Sequence, residues 1–105
     1  MDAQMKKGVL EMCILYRLKD QEIYGYELMK SIRQYFPDVY EGSIYTILRR
    51  LNATGYTRVT QNKSLNGPVR KYYTITQTGL EYLEQMLSEW KSIVNSVSAL
   101  GIQIS

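Results

Sequence analysis

Apolar residues recur at helical spacing in three stretches before the chain changes period. Val9, Leu10, Cys13, Ile14 and Leu18 form the first stripe, widened by Met12, Leu15 and Tyr16. So wide a face predicts a helix over about Gln4–Lys19, buried on more than one side. The polar run Lys19–Glu22 breaks it. Leu28, Met29, Ile32 and Phe36 mark a second helix, roughly Tyr24–Tyr35, with Lys30, Ser31, Arg33 and Gln34 facing outward. Pro37 closes that helix, because the residue before a proline is pushed out of helical geometry. Ile44, Ile47, Leu48 and Leu51 then fall at i, i+3, i+4 and i+7, a clean single face. This third helix starts between Tyr40 and Ser43, and Gly55 stands where a left-handed C-terminal cap is expected.

Beyond Gly55 the period shortens to two. Thr57–Lys63 and Val69–Thr76 are rich in β-branched and aromatic residues, and Ser64–Pro68 between them has strong turn chemistry. A β-hairpin follows from that pattern. Thr76 is a natural N-cap for a last helix reaching about Leu100. Along it Leu80, Leu83, Leu87, Trp90, Val94 and Val97 step alternately by three and four residues, a heptad seam that Met86, Ile93 and Leu100 thicken. At 1.5 Å per residue this helix is roughly 35 Å long, more than so small a core can cover. Its surplus apolar face calls for a partner, and a second copy of the chain is the simplest one.

Three helices followed by a hairpin and a long helix describe a mainly α fold with a β-hairpin (α+β): a winged helix-turn-helix plus a long C-terminal dimerisation helix. The expected division is 1–76 for the winged helix-turn-helix and 77–105 for the dimerisation helix.

Composition narrows the function. A chain of 105 residues suits one compact domain. The single cysteine, Cys13, excludes an intrachain disulfide, and it lies on an apolar helix face with no base beside it. With no histidine, the usual general base and the usual zinc ligand are both missing. No glycine-rich phosphate motif appears either. An enzyme, a metal site and a bound cofactor are therefore not expected. The N-terminal KKGVLEMCILYRL starts like a secretion signal, but Glu11 and Arg17 interrupt it and no cleavage site follows. A soluble, cytoplasmic protein without a membrane span is expected.

Charge changes the picture more. The net value of +3 is modest, yet Gly42–Thr76 contains Arg49, Arg50, Arg58, Lys63, Arg70 and Lys71 and no acid at all. A one-signed block on folded structure points to a polyanion, here double-stranded DNA. On the third helix Tyr45, Thr46, Arg49 and Asn52 lie opposite the apolar set. Such a face suits a major groove, where arginine pairs with guanine and Thr or Asn reaches base edges. Helix-turn-helix order puts this element in the recognition position. Arg49 is the base-reading candidate. Arg50, at the flank, either grips phosphate or pairs with an acid such as Glu27. Tyr45 is a contact or a packing residue with a wet hydroxyl. Lys63, Arg70 and Lys71 around the hairpin turn suit phosphate or minor-groove contact. Tyr73 and Ile75 pack inward, and Tyr72 alternates to the other strand face with Arg70, where it either stacks in the manner of a nucleic-acid platform or is simply solvated.

The segments KGVLEMCIL (Lys7–Leu15), YGYEL (Tyr24–Leu28), GSIYTILRRL (Gly42–Leu51) and GPVRKYYTITQTG (Gly67–Gly79) resemble, in order and spacing, those of the PadR family of bacterial winged-helix regulators. The resemblance runs from about Lys6 to Leu100. It implies a DNA-binding regulator, usually a repressor, of the short subfamily whose single C-terminal helix makes the dimer; two-fold symmetry of such a dimer leads to the expectation of a pseudo-palindromic operator. It also implies DNA-backbone contact by Tyr24 and Tyr26, although a Tyr-Gly-Tyr bend packed on the first helix explains them equally. Many members have proline where this chain has Thr46, which alters the helix entry or offers a contact; Ser43 on the same helix is a further DNA-contact candidate. Drug-responsive short members carry a tryptophan, here Trp90, that stacks on planar aromatic compounds. By position alone Trp90 is a packing anchor of a seam shared with Leu83, Leu87, Val94 and Val97. The competing class is an effector-sensing or protein-interaction module with little specific DNA recognition.

Overall fold

The computed structural model describes residues 3–63 and 67–103, without the side chains of residues 3–5 and Lys63. In chain order the elements are α1 (Ala3–Arg17), β1 (Ile23–Tyr24), α2 (Gly25–Tyr35), α3 (Glu41–Ala53), β2 (Thr57–Lys63), β3 (Val69–Ile75) and α4 (Gln77–Ala99). The three helical stripes converge on one core. Ile14 and Leu15 of α1 with Leu18 just past its end, Leu28 and Ile32 of α2, and Ile44, Leu48 and Leu51 of α3 are buried there with Tyr73 of β3. Each such aliphatic side chain contributes about 1.5–3 kcal/mol on burial.

The sheet has one strand more than the periodicity predicts. Its order is β1-β3-β2, all antiparallel, with Ile23 opposite Tyr73 and Tyr24 opposite Tyr72. The hairpin register runs from Thr57 opposite Ile75 to Lys63 opposite Val69. β1 ties the entrance of α2 to the root of the wing. It is too short to show an alternation of its own, so its pairing is visible only in three dimensions.

The turn between α2 and α3 is organised by Arg33, which does not face outward as its helical position suggests. Its Nε donates to the Val39 carbonyl at 2.9 Å, and its guanidinium lies 3.6 Å from the Glu41 carboxylate. Val39 itself is buried in the core. These contacts hold the start of α3 against the end of α2.

The far end of α3 closes as anticipated. Gly55 has φ 86°, the left-handed region that favours glycine. The Tyr56 amide donates to the Leu51 carbonyl and the Gly55 amide to the Asn52 carbonyl, the paired bonds of a Schellman cap. Thr76 then caps α4, its Oγ1 accepting from the Gly79 amide at 3.0 Å. The same hydroxyl donates to the Gly55 carbonyl at 2.7 Å. One side chain thus joins the end of α3 to the start of α4.

The first half of α4 lies on the body and the second half extends from it. Leu83 is 0 % exposed and belongs to the protomer's own core, so it is not available to a dimer or effector interface as the continuous heptad seam suggested. Leu80, Met86 and Leu87 pack partly against that core. Further on, Trp90 is 45 % and Leu100 81 % exposed, and Ile93 is exposed as well. The extension shows in the shape: 57 × 30 × 20 Å, with a radius of gyration of 15.4 Å against about 13 Å for a compact chain of this length.

Candidate nucleic-acid interface

α3 buries Ile44, Ile47, Leu48 and Leu51 and leaves Ser43, Thr46, Arg49 and Asn52 exposed, with Tyr45 half-buried. Thr46 Oγ1 donates to the Gly42 carbonyl at 2.8 Å and accepts from Arg49 Nη2 at 3.1 Å. Thr46 therefore orients the Arg49 guanidinium along the exposed face. Arg49 keeps its remaining donors free of any ion pair among the described residues.

On one flank α3 borders a cavity of about 290 Å³ lined by Tyr24, Tyr26, Tyr45, Arg49, Lys71 and Tyr73, with Gly25 and Val69 at its edge. The structure thus brings together residues from β1, α2, α3 and β3 that the sequence offered separately. Gly25 makes this possible. A β-carbon there would lie 2.9 Å from Tyr73 Cε2, so only glycine lets the start of α2 rest on that ring. Burial, with a smaller effect of the Glu41 charge, holds the Tyr45 phenol above its ordinary pKa. At neutral pH it is a protonated hydroxyl that can donate to a phosphate or a base edge.

The wing cations separate instead of clustering. Lys71 points into the α3 flank, whereas Arg70 lies over the Tyr24 ring at 5.2 Å. Tyr72 is not simply solvated: its ring sits 5.6 Å from Tyr24, which in turn lies 6.1 Å from Tyr26. Lys30 lies over the outer face of Tyr26 at 5.3 Å. A row of cation and aromatic groups therefore crosses from the wing to α2 beside the recognition helix. Lys63 was the remaining wing candidate, and its side chain lies outside the described residues.

Arg50 has a different fate. Its Nη2 donates to Glu11 Oε1 of α1, so the acid it meets is not Glu27. Glu11 is only 8 % exposed, and its second oxygen accepts from the Tyr82 hydroxyl of α4 at 3.2 Å. Burial, reinforced by the Glu11 charge, holds the Tyr82 phenol above its ordinary pKa, so it remains a donor. Sequence reasoning passed over both partners. The available signal was a glutamate set among the apolar residues of α1.

At the other end of the molecule Trp90 borders an apolar cavity of about 380 Å³ with Met12, Cys13, Tyr16, Ile32, Tyr35, Phe36 and Leu87. Burial raises the Cys13 thiol pKa, which disfavours the reactive thiolate. Val94 and Val97 are half-buried further along α4. Among the described residues no cluster of metal ligands occurs, and no helix is long and apolar enough to cross a membrane.

Three helices, a wing of antiparallel strands and a recognition helix that presents Arg49 define a winged helix-turn-helix protein. Residues 14–85 match the transcriptional regulator PadR-like family. The chain is 43 % identical to a PadR-like transcriptional regulator from Bacillus cereus, covering 97 % of this chain and all of that one, with a TM-score of 0.82. A Streptococcus transcriptional regulator is 32 % identical over 96 % of this chain and all of its own, with a TM-score of 0.83. A PadR-like transcription factor from Bacteroides fragilis is 31 % identical over 93 % and 95 % of the two chains, with a TM-score of 0.81. The chain belongs to the PadR-like family of transcriptional regulators, whose members are DNA-binding regulators and not enzymes.

Proposed function

We propose that the protein is a cytoplasmic, homodimeric repressor that reads a pseudo-palindromic operator. The observation that carries this reading is the exposed face of α3, where Thr46 orients Arg49 and the one acid of the helix, Glu41, is paired with Arg33. Residues 1–76 supply the DNA-binding part, and 77–105 the dimerisation helix. α3 enters the major groove, Arg49 pairs with a base edge, and Ser43, Tyr45 and Thr46 frame that contact. Lys71, Arg70, Lys63, Tyr24 and Tyr26 hold the flanking backbone. The exposed apolar surface of α4 at Trp90, Ile93 and Leu100 supports pairing with a second copy. Two such modules would sit about one helical turn of DNA apart, or a multiple of it.

The cavity beside Trp90 favours a second, compatible feature. Its apolar walls and aromatic rim suit a small planar aromatic effector that would reach α1 and α4 together.

Binding to the DNA upstream of its own gene across a salt series tests the reading. Three or four neutralised phosphates per protomer give a log–log slope on the order of −5 to −7 for the dimer. Arg49→Ala is expected to weaken binding to that DNA selectively, and Lys71→Ala to weaken binding to it and to random DNA alike. A flat slope with no preference over competitor DNA contradicts a sequence-reading repressor and leaves the protein-interaction alternative.

A further inference from the structure

Three elements meet at one buried carboxylate. Glu11 of α1 receives Arg50 from the recognition helix on one oxygen and Tyr82 from α4 on the other. Tyr82 also stacks on Tyr56, with ring centroids 4.4 Å apart and planes 8° from parallel. Tyr56 is the residue whose amide closes the Schellman cap of α3. α4 therefore holds α3 twice, at Arg50 through Glu11 and at the C-terminal end through Tyr56.

Burial of an ion pair is a poor way to gain stability. Taking a carboxylate such as Glu11 out of water costs several kcal/mol even though Arg50 stays partly exposed, and apolar residues of similar volume often serve at least as well. What directional hydrogen bonds add is registry: a guanidinium and a phenol on a single carboxylate accept one arrangement, where a greasy contact tolerates several. Arg50 is the immediate neighbour of Arg49, so the rotation of α3 about its axis that satisfies Glu11 also sets where Arg49 points.

Building on the repressor reading, we propose that Glu11 and Tyr82 are positioning residues for DNA readout. With Arg50 they lock the roll of α3 against α1 and α4, and Arg50 is a strut of the protein rather than a contact to DNA. Met12, next to Glu11, lines the cavity beside Trp90 and a second one of about 270 Å³ that Trp90 borders with Met86 and Ile93. The lock thus lies one residue from the surface that an occupant of those cavities would touch.

The test compares a preferred duplex, recovered by selection from a random pool, with a random-sequence duplex of equal length. Tyr82→Phe removes one hydrogen bond to a charged group and keeps the ring stack. It is expected to lower the preferred-over-random affinity ratio roughly three- to tenfold with an unchanged salt slope. Glu11→Gln should lower the ratio further, and adding Tyr82→Phe to it should cost less than about twofold more, because both act through one carboxylate. The pair Glu11→Leu with Arg50→Met guards against unfolding: its thermal midpoint is expected to hold while the ratio still falls. Variants that keep the wild-type ratio overturn the positioning role, whatever happens to their midpoint. A salt slope reduced by about two in the Arg50→Met dimer overturns it too, since Arg50 would then be neutralising phosphate. If selection from the pool recovers no preferred duplex, the repressor reading fails, and the positioning role fails with it.

Discussion

The two halves of α4 carry the same kind of apolar seam and meet opposite surroundings. From Thr76 to Leu87 the helix is part of the body: it is capped, Leu83 is fully enclosed, and Tyr82 is stacked and hydrogen-bonded. From Trp90 onward the seam leaves the body: Trp90, Ile93 and Leu100 are exposed and Val94 and Val97 only half-buried. A periodic stripe thus states that a surface needs covering without stating by what. Coverage by the chain's own core stops near Leu87, and the apolar surface beyond it is where the proposed homodimer would form.

Truncations on either side of that point should separate the halves most sharply. Leu83→Ala is expected to lower protomer stability by about 2–5 kcal/mol, read by urea unfolding. Val97→Ala should cost about 1 kcal/mol or less under conditions where the protein is monomeric. Equal losses would erase the distinction. Next in size, Ile93→Asp places a charge on the distal seam. Sedimentation equilibrium should then show dimer association weakened by about a hundredfold, on the order of 3 kcal/mol. A dimer indifferent to that change would have to be built elsewhere on the molecule. Trp90 gives a third reading, because its exposed ring reports on whatever reaches the boundary. Its fluorescence should be quenched saturably by planar aromatic cations or phenolic acids, and Trp90→Ala should abolish their binding. Indifference to a broad panel would leave the residue as packing alone.

The smallest effect belongs to the rim of the body, where Lys6 meets Asp38 at 3.2 Å. The Lys6 hydrogen bond, and then a backbone one, hold the Asp38 carboxyl below its ordinary pKa. A depressed folded value means that the contribution is fully present above the unfolded pKa, about 3.9, and fades as pH falls through the lower folded value. Urea midpoints of wild type and Lys6→Ala should therefore differ slightly at pH 5 and converge under strong acid. A gap that widens in acid would reverse the sign of this pair's role.

Much of the fold was legible because it rests on local period. Helical stripes, the change to period two after Gly55, the turn residues and the Thr76 cap are all short-range signals. What escaped depends on pairs distant in sequence. β1 has two residues and exists only because β3 passes beside it. Glu11 and Arg50 are 39 residues apart, and the search for an acid near Arg50 looked to the preceding helix instead. Arg33 appeared solvated because its position on α2 is polar, yet the next turn folds back over it. Of the interface, the exposed face of α3 could be listed from angular position alone. The meeting of Tyr24, Tyr26, Tyr45, Arg49 and Lys71 in one groove, and the parting of Arg70 from Lys71, required the sheet.

The Thr76 hydroxyl has a consequence for how such a protein can vary. It binds the Gly55 carbonyl, and the Thr76 amide donates to the Tyr56 carbonyl at 3.1 Å, so the hairpin leaves and re-enters the body at one fastened point. A segment with its two roots clasped together is an interchangeable cassette. Residues inserted between β2 and β3 add closure entropy only logarithmically, about 0.6 kcal/mol per doubling of loop length. The reach of the wing can therefore be retuned, by evolution or by grafting, while α3 and α4 keep their places.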